Sequence, residues 1–91
     1  MRMTPTELKK RHLAAYPESH FFDRKTLQFW GQKMSNMKVE KDTETIEDCM
    51  GNTHECYVLV ADGRDAYDFH VVRKYYFDTE TFNYIRCFEL Y

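Results

Sequence analysis

Hydrophobic and polar positions follow a helical spacing in the first third of the chain and a strand-like alternation after it. Residues 5–16 and 24–35 each carry an apolar stripe at helical spacing, the second formed by Leu27, Trp30 and Met34. Farther along the chain, apolar and polar side chains tend to alternate with a period of two, which is typical of strands. The pattern therefore predicts an α+β fold in which two N-terminal helices pack on one face of a small antiparallel sheet.

Local signals mark the start of the first helix and an unusual position in the second. Thr4 can serve as the N-cap of the first helix, with Pro5 at the first helical position and Glu7 at the third, which forms a capping box. Gly31 lies inside the second predicted helix, where glycine costs about 1 kcal/mol relative to alanine. We infer that a neighbouring backbone or ring packs closely against Gly31.

The second helix begins with a motif, F-D-x-x-T-[LF], that occurs twice in the chain. In its first copy, Asp23 takes the N-cap position, and Phe22 can pack against Leu27 as a hydrophobic staple. The second copy, residues 77–82, predicts either a short C-terminal helix capped by Asp78 or a turn followed by a strand. Because a repeated cap is easier to explain than a repeated catalytic residue, we interpret the motif as structural.

The clearest strand signal is a predicted hairpin. The Asp62–Gly63 pair is a favoured two-residue type I′ loop, and this loop pairs Val58 with Tyr67. With that register, Tyr67 and Phe69 lie on an apolar face of the sheet and the opposite face is polar, as expected for a sheet covered on one side. Residues 37–48 are predicted to form a further strand with a bend in its middle.

Composition restricts the class of protein. A chain of 91 residues predicts a single α+β domain over residues 1–91, and 43% hydrophobic with 16% aromatic residues is typical of a globular protein. We expect no signal peptide and no membrane span, because no apolar segment of the required length is present. The odd number of cysteines, three, favours reduced thiols in a cytosolic protein.

Positive and negative charges are unevenly distributed along the chain. Residues 1–38 contain eight Lys and Arg against three Asp and Glu, whereas residues 39–91 contain five against twelve. Such a division is typical of solvated helices beside an acidic sheet, and it can also mark a surface for a charged partner. Both halves are therefore candidate binding surfaces.

Residues that could carry chemistry do not form a complete site. Cys49, His54 and Cys56, with Cys87 as a fourth, are zinc-ligand types, but they lack the paired C-x₂-C spacing of structural zinc sites. The sequence contains no P-loop, dinucleotide fingerprint or nucleophile motif. We therefore predict a non-enzymatic protein with no metal and no cofactor.

The remaining hypotheses concern binding of macromolecules. The leading hypothesis is a protein-binding module that docks through the polar sheet face, because Tyr beside charged side chains is typical of interface hot spots. The alternative is nucleic-acid binding by the basic helices, and spare aromatic residues could also form a homodimer contact. The predicted partner-binding residues are Asp65, Asp68, His70, Tyr76 and Tyr57, and the alternative nucleic-acid-binding residues are Lys9, Lys10, Arg11, Arg24 and Lys25.

The string HFFDRKTLQFWG, followed later by FDTETF, resembles a group of small proteins encoded by tailed bacteriophages and prophages. Many of those proteins carry a string close to HFFDR-x-T-x-x-F-[FW]-G, and the resemblance covers roughly residues 17 to 85. It implies a phage accessory protein in the host bacterial cytoplasm, which fits an inhibitor of a host factor or defence complex. Together with the binding-module hypothesis, it leads us to expect a host protein or protein complex as partner, and it assigns no role to any single residue.

Overall fold

Two short helices precede five strands in the computed structural model, which describes residues 2–29, 31–64 and 67–90. Trp30 of the predicted helical stripe and Asp65 of the predicted binding surface lie outside the described residues. The helices are α1, Pro5–Ala15, and α2, Arg24–Phe29; the strands are β1, Gln32–Val39, β2, Glu44–Glu47, β3, Thr53–Arg64, β4, His70–Asp78, and β5, Tyr84–Leu90.

The strands form one antiparallel sheet in which β3 is paired along both sides. β1 and β2 pair with successive parts of β3 on one side, whereas β4 pairs with its other side and β5 pairs with β4. Val58 lies opposite Tyr76, so the predicted pairing of Val58 with Tyr67 is wrong. β3 continues through Asp62–Gly63 as far as Arg64, and the chain turns back only after that residue.

Gly31 and Gly63 explain both the early end of α2 and the continuation of β3. Gly31 has a φ of 71°, a left-handed conformation that favours glycine and ends a helix. An added Cβ on Gly31 would collide with the Arg64 carbonyl oxygen, and one on Gly63 would collide with the Gly31 carbonyl oxygen. The predicted close neighbour of Gly31 is therefore confirmed, but the predicted helix over residues 24–35 is wrong in its second half.

The predicted starts of both helices are found in the structure. Thr4 Oγ1 accepts a hydrogen bond from the Glu7 N–H at 3.1 Å, as a capping residue does. α2 begins directly after Asp23, whose carbonyl oxygen accepts from the Leu27 N–H at 3.0 Å. The Asp23 carboxylate bonds to His20 Nδ1 at 2.7 Å. The Thr4 N-cap of the predicted capping box is therefore confirmed, but the Glu7 carboxylate bonds to Arg11 instead of closing the box. Asp23 occupies the N-cap position of α2.

Alternate residues of β3 and β4 belong to two different core clusters. The first cluster contains Leu8 of α1 and Leu27 of α2, which confirms in part the packing of helices on one face, although α2 has only six residues. The second cluster lies on the other face, so the prediction of a polar face is wrong. A continuous apolar run, residues 56–61, indicates burial on both sides of a strand. The second cluster consists of Cys56, Val58, Val60 and Tyr76.

Two further predictions concern the remaining strands. Residues 40–43 separate β1 from β2, which confirms the bend predicted within residues 37–48. The second copy of the motif forms a turn instead of a helix, and β5 follows it at Tyr84. The C-terminal element is therefore a strand, one of the two predicted alternatives.

Candidate functional site

The structure separates the predicted partner-binding residues. Tyr76 is 5% exposed in the second core cluster, and Tyr57 packs against the first cluster on the opposite face. Asp68 and His70 are exposed and lie close together where β3 connects to β4. Asp65 lies outside the described residues. Of the described members, Asp68 and His70 alone share one surface.

That surface contains two exposed aromatic rings that the predicted register places on the apolar face. Tyr67 is 82% exposed and Phe69 is 67% exposed. Large apolar side chains at such exposure beside charged groups are a candidate contact area for another molecule. We term this area the hairpin surface, and it consists of Asp62, Arg64, Tyr67, Asp68, Phe69 and His70.

Contacts between charged groups brace the segment from which the rings project. Arg64 Nη1 donates to the Asp68 carbonyl oxygen at 2.9 Å, and Arg64 Nε lies 3.7 Å from Asp68 Oδ1. On the neighbouring strand pair, His70 Nε2 lies 3.1 Å from Asp62 Oδ1. Asp68 has a φ of 65°, which Asp tolerates better than most residues. Exposed ion pairs stabilise a fold little, so their main effect here is to orient the segment.

Sequence reasoning missed Tyr67 and Phe69 as surface residues because it placed the turn at Asp62–Gly63. A signal for a longer connection is present, since residues 62–68 contain three aspartates and one glycine. Turn-forming residues spread over seven positions indicate an extended loop as readily as a two-residue turn.

A second group of titratable side chains surrounds His54. Its Nε2 lies 2.7 Å from Asp48 Oδ2, and its Nδ1 lies 2.8 Å from Asp78 Oδ2. Because an ionised carboxylate only accepts hydrogen bonds, this arrangement favours the imidazolium form of the ring, in which both nitrogens donate. Asp48, His54 and Asp78 are termed the His54 cluster. It joins the loop before β3 to the turn before β5.

Each aspartate of the His54 cluster also organises a turn with its second carboxylate oxygen. Asp48 Oδ1 accepts from the backbone N–H groups of Met50 and Asn52 at 2.9 and 3.0 Å. Asp78 Oδ1 accepts from two backbone N–H groups in the following turn at 2.7 and 3.0 Å. These oxygens are used within the protein, so we interpret the cluster as a structural latch between two loops.

The hydrogen bonds of the His54 cluster shift the pKa of every member toward its charged form. The Asp48 carboxylate, and after it Asp78, raises the pKa of His54 above its ordinary value. The His54 hydrogen bond lowers the pKa of Asp48. Burial raises the pKa of Asp78, but hydrogen bonds from the Thr81 N–H and from His54 outweigh burial and lower it. Each of the three shifts therefore favours the charged form of its group.

His12 forms a third polar group, within the core. The ring is 3% exposed; its Nδ1 donates to the Phe82 carbonyl oxygen at 2.7 Å, and its Nε2 lies 2.7 Å from Ser19 Oγ. A cavity of about 650 Å³ lies beside this pair. A Ser–His pair at this distance resembles a nucleophile and its base. Ser19 Oγ also accepts from the Phe21 N–H at 3.3 Å. Because both His12 contacts tie a loop to α1, we interpret the pair as structural.

The three cysteines lie in different environments. Cys49 is exposed, Cys56 is buried in the second core cluster, and Cys87 packs against the first cluster. Burial raises the pKa of the Cys56 thiol to about 11, so the thiol is protonated at neutral pH and is a poor nucleophile. Over residues 2–29, 31–64 and 67–90, no group of three or more His, Cys, Asp or Glu side chains is placed to hold a metal ion.

The structure also places the predicted nucleic-acid-binding residues at different parts of the surface. Lys9 and Arg24 line a common cleft, together with Lys33 from β1. Arg11 bonds to Glu7 Oε1 at 2.9 Å, so its charge is partly neutralised within α1. The structure therefore keeps part of the predicted basic surface and adds one lysine to it.

Comparison of this chain with models of known families, with curated proteins and with solved structures gives no match. In the part of the chain that the structure describes, no helix is long and apolar enough to cross a membrane. The site must therefore be judged on its own geometry.

Proposed function

We propose that this chain is a non-enzymatic protein-binding module that contacts its partner through the hairpin surface. The observation that carries the proposal is the exposure of Tyr67 and Phe69, at 82% and 67%, beside the Arg64 guanidinium. Aromatic residues and Arg are enriched in interface hot spots, and a charged rim commonly surrounds them. A large apolar side chain left in water forgoes about 2 kcal/mol of burial, which a partner pocket would recover.

The chemistry of the hairpin surface defines the kind of partner. Asp62 and Asp68 carry negative charge close to the positive Arg64, so the rim suits a protein surface of mixed charge. A cavity of about 400 Å³ is lined in part by Asp62, Arg64 and His70 of this surface and could accept a partner side chain. The proposal keeps Asp68 and His70 from the sequence prediction and replaces Tyr76 and Tyr57 by the two exposed rings.

The resemblance to phage-encoded proteins suggests where the partner is found. We propose a protein of the bacterial host, met in the host cytoplasm. An accessory protein that inhibits a host factor or a defence complex would act through such a contact. This part of the proposal depends on the sequence resemblance and not on the hairpin surface.

The test compares the affinity of variants for a partner captured from bacterial lysate. A tagged chain is used to isolate a stoichiometric partner, and dissociation constants are then measured by calorimetry. We expect Tyr67→Ala/Phe69→Ala to weaken binding at least thirtyfold, roughly the effect of losing one hot-spot residue. The control is Met50→Ala, which removes an 81% exposed apolar side chain from a different loop and should leave the affinity unchanged.

The outcomes separate the function from the site. Failure to recover any stoichiometric partner would reject the binding module. A partner that binds the double variant as tightly as the unaltered chain would reject the hairpin surface and keep the function. Circular dichroism of each variant verifies that the fold is retained.

A further inference from the structure

Basic side chains from three different elements converge on one cleft of about 390 Å³. Lys9 comes from α1, Arg24 from the start of α2 and Lys33 from β1. Phe22 and Leu27, which are 5% and 4% exposed, form part of the lining. The cleft thus combines an apolar wall with three positive charges, and it shares no residue with the hairpin surface.

These three charges are not compensated within the part of the chain that the structure describes. No acidic residue lines the cleft, and the side chains of Lys9, Arg24 and Lys33 make no hydrogen bond or ion pair with the described residues. Like charges that converge repel each other, and a concave wall of low polarity concentrates their field. Three arginines elsewhere are paired with carboxylates, namely Arg11 with Glu7, Arg64 with Asp68 and Arg73 with Glu89.

We propose that this cleft binds the phosphate group of a phosphorylated ligand. A phosphate carries several strong acceptor oxygens, for which Arg provides a planar pair of donors and Lys a compact charge. Gln28 also lines the cleft and adds an amide that can donate. A volume of about 390 Å³ accommodates a pyrophosphate or the end of a nucleotide, and it lies at the small end of ligand sites.

The same phosphate chemistry could belong to a small metabolite or to a nucleic-acid strand. Lys9 and Arg24 come from the residues that the sequence suggested for nucleic acid, so the cleft preserves the core of that hypothesis. Lys10 and Lys25 are exposed but do not line the cleft. This difference provides a control with the same charge at adjacent positions of the same two helices.

The experiment titrates the full chain at low salt with inorganic pyrophosphate and, separately, with a short single-stranded oligonucleotide. Affinities are measured for two double variants, Lys9→Gln/Arg24→Gln and Lys10→Gln/Lys25→Gln, which change the net charge equally. We expect the first to weaken pyrophosphate binding at least about tenfold, because it removes two charge-assisted contacts. The second should weaken it less than about twofold, since long-range attraction alone is lost.

The two probes distinguish the sources of the phosphate. The ligand is a nucleic acid if the oligonucleotide also binds and its binding requires the same two residues. The logarithm of its affinity should then fall with the logarithm of the salt concentration at a slope of roughly −2. Binding of pyrophosphate alone indicates a phosphorylated small molecule. Absence of binding by both probes, or an equal loss in both double variants, overturns the proposal. Thermal unfolding of both variants verifies that each remains folded.

Discussion

The two copies of the F-D-x-x-T-[LF] motif begin in the same way. In the first copy the Leu27 N–H donates to the Asp23 carbonyl oxygen at 3.0 Å, and in the second the Phe82 N–H donates to the Asp78 carbonyl oxygen at 2.9 Å. This bond joins residues four apart and closes one helical turn. The motif therefore determines a single turn in both places, because every group involved lies within the motif.

Beyond the first turn, the two copies take different paths. The first continues to Phe29 and reaches a left-handed conformation at Gly31, whereas in the second Phe82 itself has a φ of 60°. The Asp78 N–H then donates to the Asn83 carbonyl oxygen at 2.9 Å, and β5 begins at the next residue. Contacts outside the motif therefore decide whether the turn continues as a helix.

Asp23 and Asp78, the aspartates of the two copies, also differ in exposure and in the hydrogen bonds that they make. The Asp23 side chain is 54% exposed, and its partner His20 is 84% exposed. The Asp78 side chain is 13% exposed and bonds to His54 and to two backbone N–H groups. The same residue in the same motif is therefore an exposed surface group in one copy and a partly buried group with several hydrogen bonds in the other.

The largest expected loss of stability comes from truncating the buried phenylalanine that each copy of the motif contains. Phe22 and Phe77 are 5% and 0% exposed, and their rings stack on each other at 5.7 Å. We expect Phe77→Ala and Phe22→Ala each to lower the free energy of unfolding by about 3–5 kcal/mol in urea denaturation. Phe88→Ala, at a 39% exposed ring, should cost about 1 kcal/mol and serves as the control. A Phe22→Ala effect no larger than the control would show that the copies do not share this role.

The next effect tests how the first copy ends. Gly31→Ala combines a left-handed φ of 71° with a collision against the Arg64 carbonyl oxygen, so we expect a loss of at least about 3 kcal/mol. Gly51 has a φ of 82° but has nothing within 4 Å of an added Cβ. Gly51→Ala should therefore cost only about 1 kcal/mol, the strain of the backbone alone. Equal losses in thermal or chemical unfolding would remove the close backbone approach as the reason for Gly31.

A smaller effect separates the two aspartates. Asp78→Ala should lower the free energy of unfolding by about 2 kcal/mol, because two backbone donors and His54 lose their acceptor. Asp23→Ala should cost less than about 1 kcal/mol, since its carboxylate bonds to an exposed histidine. Asp78→Asn keeps an acceptor for the turn but removes the charge. Its loss in free energy of unfolding should therefore lie between those of Asp78→Ala and Asp23→Ala. If Asp23→Ala proves the more damaging of the two alanine variants, the comparison fails.

The smallest effect is a pH dependence that arises at the His54 cluster, which includes Asp78 of the second copy. The pKa of His54 is raised from 6.5, so its stabilising contribution is complete below that value and is lost as pH rises through the folded pKa. The pKa values of Asp48 and Asp78 are lowered from 3.8, so their contribution is present above 3.8 and is lost as pH falls through the folded pKa values.

The measurement compares the free energy of unfolding of the unaltered chain and His54→Gln across pH. The difference between them should be greatest between these limits and should shrink as pH rises above about 6.5. A difference that stays constant from acid to alkaline pH would contradict the charged state of the His54 cluster.

Much of the candidate site depended on strand register, which the sequence predicted incorrectly. Asp68 and His70 were placed on a surface, but Tyr76 and Tyr57 were not recognised as buried or half-buried. In the observed β3–β4 pairing, Val58 lies opposite Tyr76 and not opposite Tyr67. This change of register places Tyr76 within a paired strand and moves Tyr67 and Phe69 into the connection between the strands. Register is set by the summed packing of two long strands, and a favourable turn such as Asp62–Gly63 is too small a term to decide it.

Features that depend on neighbours within about four residues could be predicted from the sequence. These are the capped start at Thr4, the turn after Asp23, the equivalent turn after Asp78 and the break between β1 and β2. Hydrogen bonds and staples that close within one turn need no distant partner, so the residue pattern alone specifies them.

Tertiary structure alone decided the features that join distant residues. Gly31 and Gly63 approach each other closely where β3 continues past a favourable turn. In the His54 cluster, His54 bonds to Asp78, a residue 24 positions away. The cleft of Lys9, Arg24 and Lys33 likewise exists only because three elements meet there. Such features depend on packing summed over the whole chain, and no local pattern contains that sum.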